Sequence, residues 1–183
     1  MKKIKKGKSE FSRFTYQLSK NKLAMMGLVI LVIEILIALF ATQIAPYGYQ
    51  EIDPNALRQG PSAIHWFGTD EIGRDIFSRV VVGTRYSLSM GIIATAISSG
   101  IGIVIGAIAG FAGGWTDNII MRFLDVIQSL PGLLLTIVMS AVLGSGYFNT
   151  ILALSVGGIP GAARMLRANM LKQRKAEYIE AAY

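Results

Sequence analysis

The chain has 183 residues, 52% hydrophobic and only 16% charged, with a formal net charge of +7 and no cysteine. Soluble domains carry about 25% charged residues, so this composition argues against an ordinary globular protein. The absence of cysteine excludes a disulfide framework, a thiolate metal site and a cysteine nucleophile.

The charges are unevenly placed. No Asp, Glu, Lys or Arg lies between Tyr86 and Thr116 or between Val126 and Ala163, runs of 31 and 38 residues. An apolar run of about 18 residues is already a transmembrane candidate, because about 20 helical residues cross the hydrocarbon. The chain therefore reads as all-α, a polytopic membrane helical bundle.

Residues 1–22 form a basic N-terminus, with eight Lys or Arg against Glu10 alone. That surplus equals the net charge of the whole chain. Beside a membrane span it is a topology signal facing the cytoplasm, with anionic lipid as its neighbour. No interleaved aromatics suggest stacking on bases, so nucleic acid is not an expected partner.

The first transmembrane helix is predicted over residues 23–45, closed by Pro46. It is too long for a signal peptide, and no A-x-A-like site follows it. Its one charge, Glu34, lies near the middle, where an ionised group costs about 2.5–3.5 kcal/mol. It is expected to face protein or water, either as a transport-path residue or, by preference, as a carboxyl bonded to a neighbouring helix.

Residues 46–83 are the one long non-membrane stretch, and their low Lys/Arg content places them as an extracytoplasmic loop. Turn formers dominate its first half. In its second half, Thr69 is expected to cap a short amphipathic helix from Glu71 to Val82, with Ile72, Ile76, Phe77 and Val80 on one face.

Residues 84–183 begin the core. In the second span, from about Arg85 to Phe111, small residues recur at Ala94, Ser98, Gly102, Gly106 and Gly110. Four-residue steps place them along one slowly winding groove, against which another helix can pack closely. The occupant is either another span of this chain or a second subunit. The third span, from about Ile119 to Leu143, has Arg122 and Asp125 near enough to pair, and a kink at Pro131. The fourth begins near Ile151, bends at Pro160, and ends where Arg164 and Arg167 snorkel toward the inner interface. Four crossings put both termini in the cytoplasm.

Catalytic chemistry is missing. His65 is the only histidine, so no metal constellation forms. Gly7-Lys8-Ser9 echoes the end of a phosphate-binding loop, but Lys2 stands where the leading glycine is required. The chain is not expected to be an enzyme, and no catalytic or metal site is assigned.

Three stretches resemble a known family. HWFGTDEIGRDIFSRVVVGTRYSL (65–88), FAGGWTDNIIMRFLDVIQSLPGLLL (111–135) and AARMLRANMLKQRKAEYIEAAY (162–183) are similar, in that order, to the C-type permease subunit of dipeptide, oligopeptide and nickel ABC importers. The resemblance covers the chain from about residue 12 onward. It implies the type I ABC-importer permease fold, with four spans present of an expected six, in a bacterial plasma (inner) membrane. It further implies a second homologous permease, two ATPase subunits that bind ATP and magnesium, and an extracytoplasmic solute-binding protein as partners. No cofactor is expected in this chain itself. By the same resemblance, Glu180, Ala181 and Ala182 match the E-A-A of an ATPase-coupling segment, with Tyr178 and Ile179 just before it. The family motif continues with a glycine, a longer loop and two more spans, so a C-terminal truncation is expected. The alternative is a passive channel or helical scaffold complete at four spans.

Overall fold

The computed structural model describes Tyr16 and residues 18–174. Its contacts divide the chain at Leu88/Ser89 into two units.

In the first unit, Asn21 takes an extended conformation and its side chain accepts a hydrogen bond from the Ala24 amide at 3.2 Å. This satisfies an orphan donor and starts helix α1, Lys22–Leu39. At 18 residues, α1 is about 27 Å long, close to the hydrocarbon thickness. Beyond Lys22 it is apolar on every side except at Glu34 and buries only Ala38, so most of its surface suits lipid. Phe40 separates it from the single turn α2, Ala41–Ile44, and Ala45 is extended before Pro46. The expected span 23–45 thus begins one residue inside α1 and extends past its end at Leu39 through α2.

The loop that follows is tightly bonded. The Asp53 amide donates to the Gly73 carbonyl at 3.1 Å, and the Arg58 amide to the Asp70 carbonyl at 3.0 Å. Gly73 has φ +85, and a Cβ there would lie 2.0 Å from the Asp53 carbonyl oxygen, so only glycine fits. Beneath this turn, His65 Nδ1 lies 3.0 Å from an Asp75 carboxylate oxygen, with both residues buried. The other Asp75 oxygen accepts from the Ser78 amide at 2.7 Å. The Ser78 hydroxyl in turn accepts from the Tyr47 amide at 3.2 Å.

Asp75 is thereby the cap of helix α3, Ile76–Ala112. This corrects two expectations. The helix starts at Ile76 and not Glu71, because residues 70–75 form a turn in which the Asp70 carboxylate accepts from the Ile72 and Arg74 amides. Thr69 is no cap. Its hydroxyl donates to the Ala56 carbonyl and accepts from the Gln59 amide at 2.9 Å, pinning the loop. Residues 76–82 are not a separate surface helix but the first turns of a 37-residue one.

The second unit holds the rest of α3, then α4 (Gly114–Ser129), α5 (Gly132–Leu143) and α6 (Tyr147–Arg174). Gly113, at φ 63 and ψ −166, turns the chain between α3 and α4. Proline disfavours helical geometry in the residue before it, and Leu130 is accordingly extended at φ −85, ψ 132. The outcome at Pro131 is a break between α4 and α5 of 87°, larger than the expected kink. Asn149 then donates to the Leu143 and Gly144 carbonyls, closing the end of α5.

By length and apolarity, α1 and α3 can each cross a membrane, and the bent pair α4–α5 makes a third crossing if taken as one. The expected fourth span corresponds to α6, which is helical but less apolar because Asn149, Arg164 and Arg167 lie within it. Pro160, where a bend is expected, lies inside α6, which stays helical through it. It is fully buried, and the helix around it lies tightly against α3.

Partial desolvation acts to raise the Asp70 carboxyl. The Arg74 and Ile72 amides and the Arg74 guanidinium outweigh it and hold the pKa at about 2. Burial likewise opposes ionisation of Asp75, but the bonds from Ser78 and His65 lower its pKa. An unfolded aspartate titrates near ~3.9, so the stabilisation from Asp70 is complete above that pH and is lost as pH falls toward about 2. In a Trp115→Phe background, Trp66 fluorescence should therefore report loosening of the loop over that acid interval, and Asp70→Asn should remove part of the pH dependence. Asp75→Ala leaves His65 buried and the helix start uncapped, a cost of about 2–4 kcal/mol measurable by thermal unfolding in detergent.

Candidate helix-coupling site

The groove foreseen on α3 exists and is filled. Ala94, Ser98, Gly102, Gly106 and Gly110 are all buried, while their neighbours Ile92, Ile103 and Val104 are exposed. Its occupant is α6 of the same chain. A Cβ on Gly106 would lie 2.3 Å from the Ala163 carbonyl oxygen, and one on Gly102 would lie 2.5 Å from the Ala162 Cβ. On α6, Gly158 makes the reciprocal approach, since a Cβ there would be 2.8 Å from the Ser98 hydroxyl. Backbone meets backbone without side chains between, and that contact supplies packing energy where lipid offers no hydrophobic drive.

The order of these contacts gives a direction. Ser89 bonds to Tyr147 at 2.8 Å, Ser98 faces Gly158, Gly106 faces Ala163, and Gly110 faces Met170. Residue numbers rise together, so α3 and α6 are parallel. The chain between them must return the whole length of the groove. Helices of 16 and 12 residues at 87° span about 30 Å end to end, enough for that return.

A second set of contacts ties α6 to α4. Arg167 grips Asp117 with two nitrogens, Nε to Oδ1 and Nη2 to Oδ2, each at 2.5 Å. Arg164 reaches Asp125 at 2.6 Å and also bonds to Gln128. The Asp117 side chain is 10% exposed, whereas Asp125 is 52% exposed. The Arg167 pair is therefore the better shielded and geometrically the stronger, since a guanidinium fork matches a carboxylate. These contacts correct two expectations. Asp125 pairs with Arg164 and not with Arg122, which is exposed and has no partner among the described residues. Arg164 and Arg167, expected to reach alone toward the inner interface, each meet a carboxylate on α4. Separations of 39 and 50 residues hid these partners from any local spacing argument.

Glu34 lies on the exposed surface of α1 and has no partner among the described residues, so the neighbouring helix expected for it is not supplied there. Tyr178, Ile179, Glu180, Ala181 and Ala182 lie outside the described residues. In the first unit, a cleft of about 270 Å³ is lined in part by Glu51, Asp53, His65 and Asp75. Its carboxylates already accept bonds from Gly48, Asn55, Ser78 and His65, which the fold itself explains. No group of three or more metal-ligating side chains occurs among the described residues.

Comparison with known proteins agrees with this architecture. Residues 102–183 match the family described as binding-protein-dependent transport system inner membrane component. Residues 9–61 match the N-terminal transmembrane domain of oligopeptide transport permease C. Residues 102–183 thus belong to the binding-protein-dependent transport system inner membrane components. Among its relatives, the dipeptide transport system permease protein DppC of Alkalihalophilus pseudofirmus is 43% identical over 166 residues, 91% of this chain and 55% of the relative. The glutathione transport system permease protein GsiD of Pectobacterium atrosepticum is 43% identical over 157 residues, 85% of this chain and 52% of the relative. The oligopeptide transport system permease protein OppC of Bacillus subtilis is 42% identical over 159 residues, 87% and 52% respectively. The chain thus spans about half the length of the curated relatives it matches.

Gly106→Ala should lower the stability of the detergent-solubilised protein by about 1–3 kcal/mol, since even a methyl group meets the Ala163 backbone. Gly100→Ala, on the open side of the same helix, should leave the unfolding temperature unchanged.

Proposed function

We propose that this chain is part of a transmembrane permease subunit of an ATP-driven importer for short peptides. The observation that carries this is the union of two family matches in chain order with relatives named for dipeptide, oligopeptide and glutathione transport. The helices supply what such a subunit needs. One is a lipid-facing helix apolar but for Glu34, and the others form a set packed through small residues and joined by a sharp elbow. The external residues, by this reading, are the loop 46–75, and the basic ends face the cytoplasm of a bacterial inner membrane.

Energy enters from outside the chain. ATP and magnesium are held by two separate ATPase subunits, a second related permease completes the path, and an extracytoplasmic binding protein delivers the peptide. The segment Tyr178, Ile179, Glu180, Ala181 and Ala182 is the ATPase contact. Its small residues Ala181 and Ala182 permit close approach to a partner surface, and Glu180 offers a charge to fix the register.

The test is reconstitution of the full-length permease. Co-expressed with its ATPase subunits and partner permease, it should co-purify with them and take up labelled di- or tripeptide into liposomes only when ATP and the binding protein are present. The permease alone should hydrolyse no ATP. Peptide flux without nucleotide would instead identify a passive channel, and failure of the ATPase to co-purify would remove the coupling role.

A further inference from the structure

The two arginine contacts join segments that small-residue packing does not. The groove holds α6 on α3, whereas α4 is fastened to α6 by Arg167–Asp117, Arg164–Asp125 and Arg164–Gln128. The pairing order is reversed along the two helices. Arg167 meets Asp117 near the start of α4, and Arg164 meets Asp125 near its end. One turn of α6 thereby holds α4 at two points two turns apart, which fixes the angle between the helices as well as their contact. A single ion pair would leave α4 free to pivot about it. Two pairs, one of them bidentate and shielded, do not.

The place of this contact in the chain gives it a mechanical meaning. Arg164 and Arg167 lie in the last turns of α6, which continues to Arg174 and runs into the segment beginning at Tyr178. At its other end α4 meets the Leu130–Pro131 elbow and, through it, α5. We propose that Arg164 and Arg167, with Asp117, Asp125 and Gln128, form a rigid strut that makes α4 and α6 move as one body. A displacement of the segment after α6 is then delivered to α4, and α5, which packs directly along α6 and joins α4 at the elbow, is carried with both. These five are positioning residues and touch no substrate or nucleotide. The inference rests on the permease reading and adds to it the internal route by which coupling leaves the ATPase contact.

The experiment uses the full-length permease assembled with its partner permease and ATPase subunits in proteoliposomes, reading peptide transported per ATP hydrolysed. Arg167→Asp and Asp117→Arg should each lower that ratio about ten-fold while the complex still assembles, because they misplace α4 without removing the ATPase contact. The charge-swapped double variant should recover to within about three-fold of the parent, since the pair is restored in reverse. Single variants that transport normally, or a swap no better than either single, would overturn the strut. A second arm exploits the absence of native cysteine. Asp117→Cys with Arg167→Cys, bridged by a short bifunctional thiol reagent, should transport better than the same protein unbridged. Bridging that gives no gain, or that stops transport, would mean the helices must part and would overturn the idea. If the parent permease fails to assemble with the ATPase, the proposed function itself fails. If the parent assembles and transports while the variants behave like it, the strut alone is lost.

Discussion

Everything in the second unit depends on how closely two backbones can approach. Gly102 and Gly106 of α3 lie against Ile159, Ala162 and Ala163 of α6 with no room for a single added carbon. In a bilayer, apolar side chains gain little by leaving lipid for protein, so dispersion at short range does the work that hydrophobic burial does in water. The parallel run of α3 and α6 follows from this contact, and so does the demand that the intervening chain travel back along it. The elbow at Pro131 and the arginine contacts are arrangements for making that return in a fixed geometry.

Charge is placed alongside the last turns of that backbone contact. Small residues line α3 from Ala94 to Gly110. Toward Gly110 the neighbours on α6 lengthen, Met170 replacing alanine, and Arg164 and Arg167 lie along this last stretch of the contact. Arg167 and Asp117 are thus used at the margin of the groove, where exposure is partial. There an ion pair keeps most of its Coulomb energy without the full desolvation cost of a buried one.

How much of this could be read beforehand varies with the range of the interaction. The groove was legible because a four-residue step on a helix is a local, periodic signal. Ser98, Gly102, Gly106 and Gly110 lie against α6, whereas Gly114, the next residue in that four-residue step, is exposed, and whether α6 or another subunit filled the groove was open. The break at Pro131 was legible for the same reason, since a proline acts on its immediate neighbour. Its 87° angle was not, because packing on both sides sets it. The start of α3 was misplaced. Thr69 and Asp75 are both good caps, and only the tertiary bond to His65 and the turn around Asp70 decide between them. Asp125 was assigned to the nearer arginine. Proximity in sequence favoured Arg122, and nothing short of the fold could bring Arg164 across 39 residues. At Pro160 the helix runs on, with Gly158 and Ile159 fitted closely against Ser98 and Gly102.

The parallel direction of α3 and α6 also bears on how the molecule comes to be made. Synthesis proceeds from the N-terminus, so α3 is complete before any residue of its partner exists. For the time needed to make α4, α5 and the first half of α6, its glycines line an empty channel in the lipid. The polar hydroxyls of Ser89 and Ser98 lack their later neighbours as well. During that interval, any other helix bearing small residues can occupy the place reserved for α6. The wait is shortest when the return leg is short, and a sharply turned pair of helices is the most compact way to bring Tyr147 back beside Ser89.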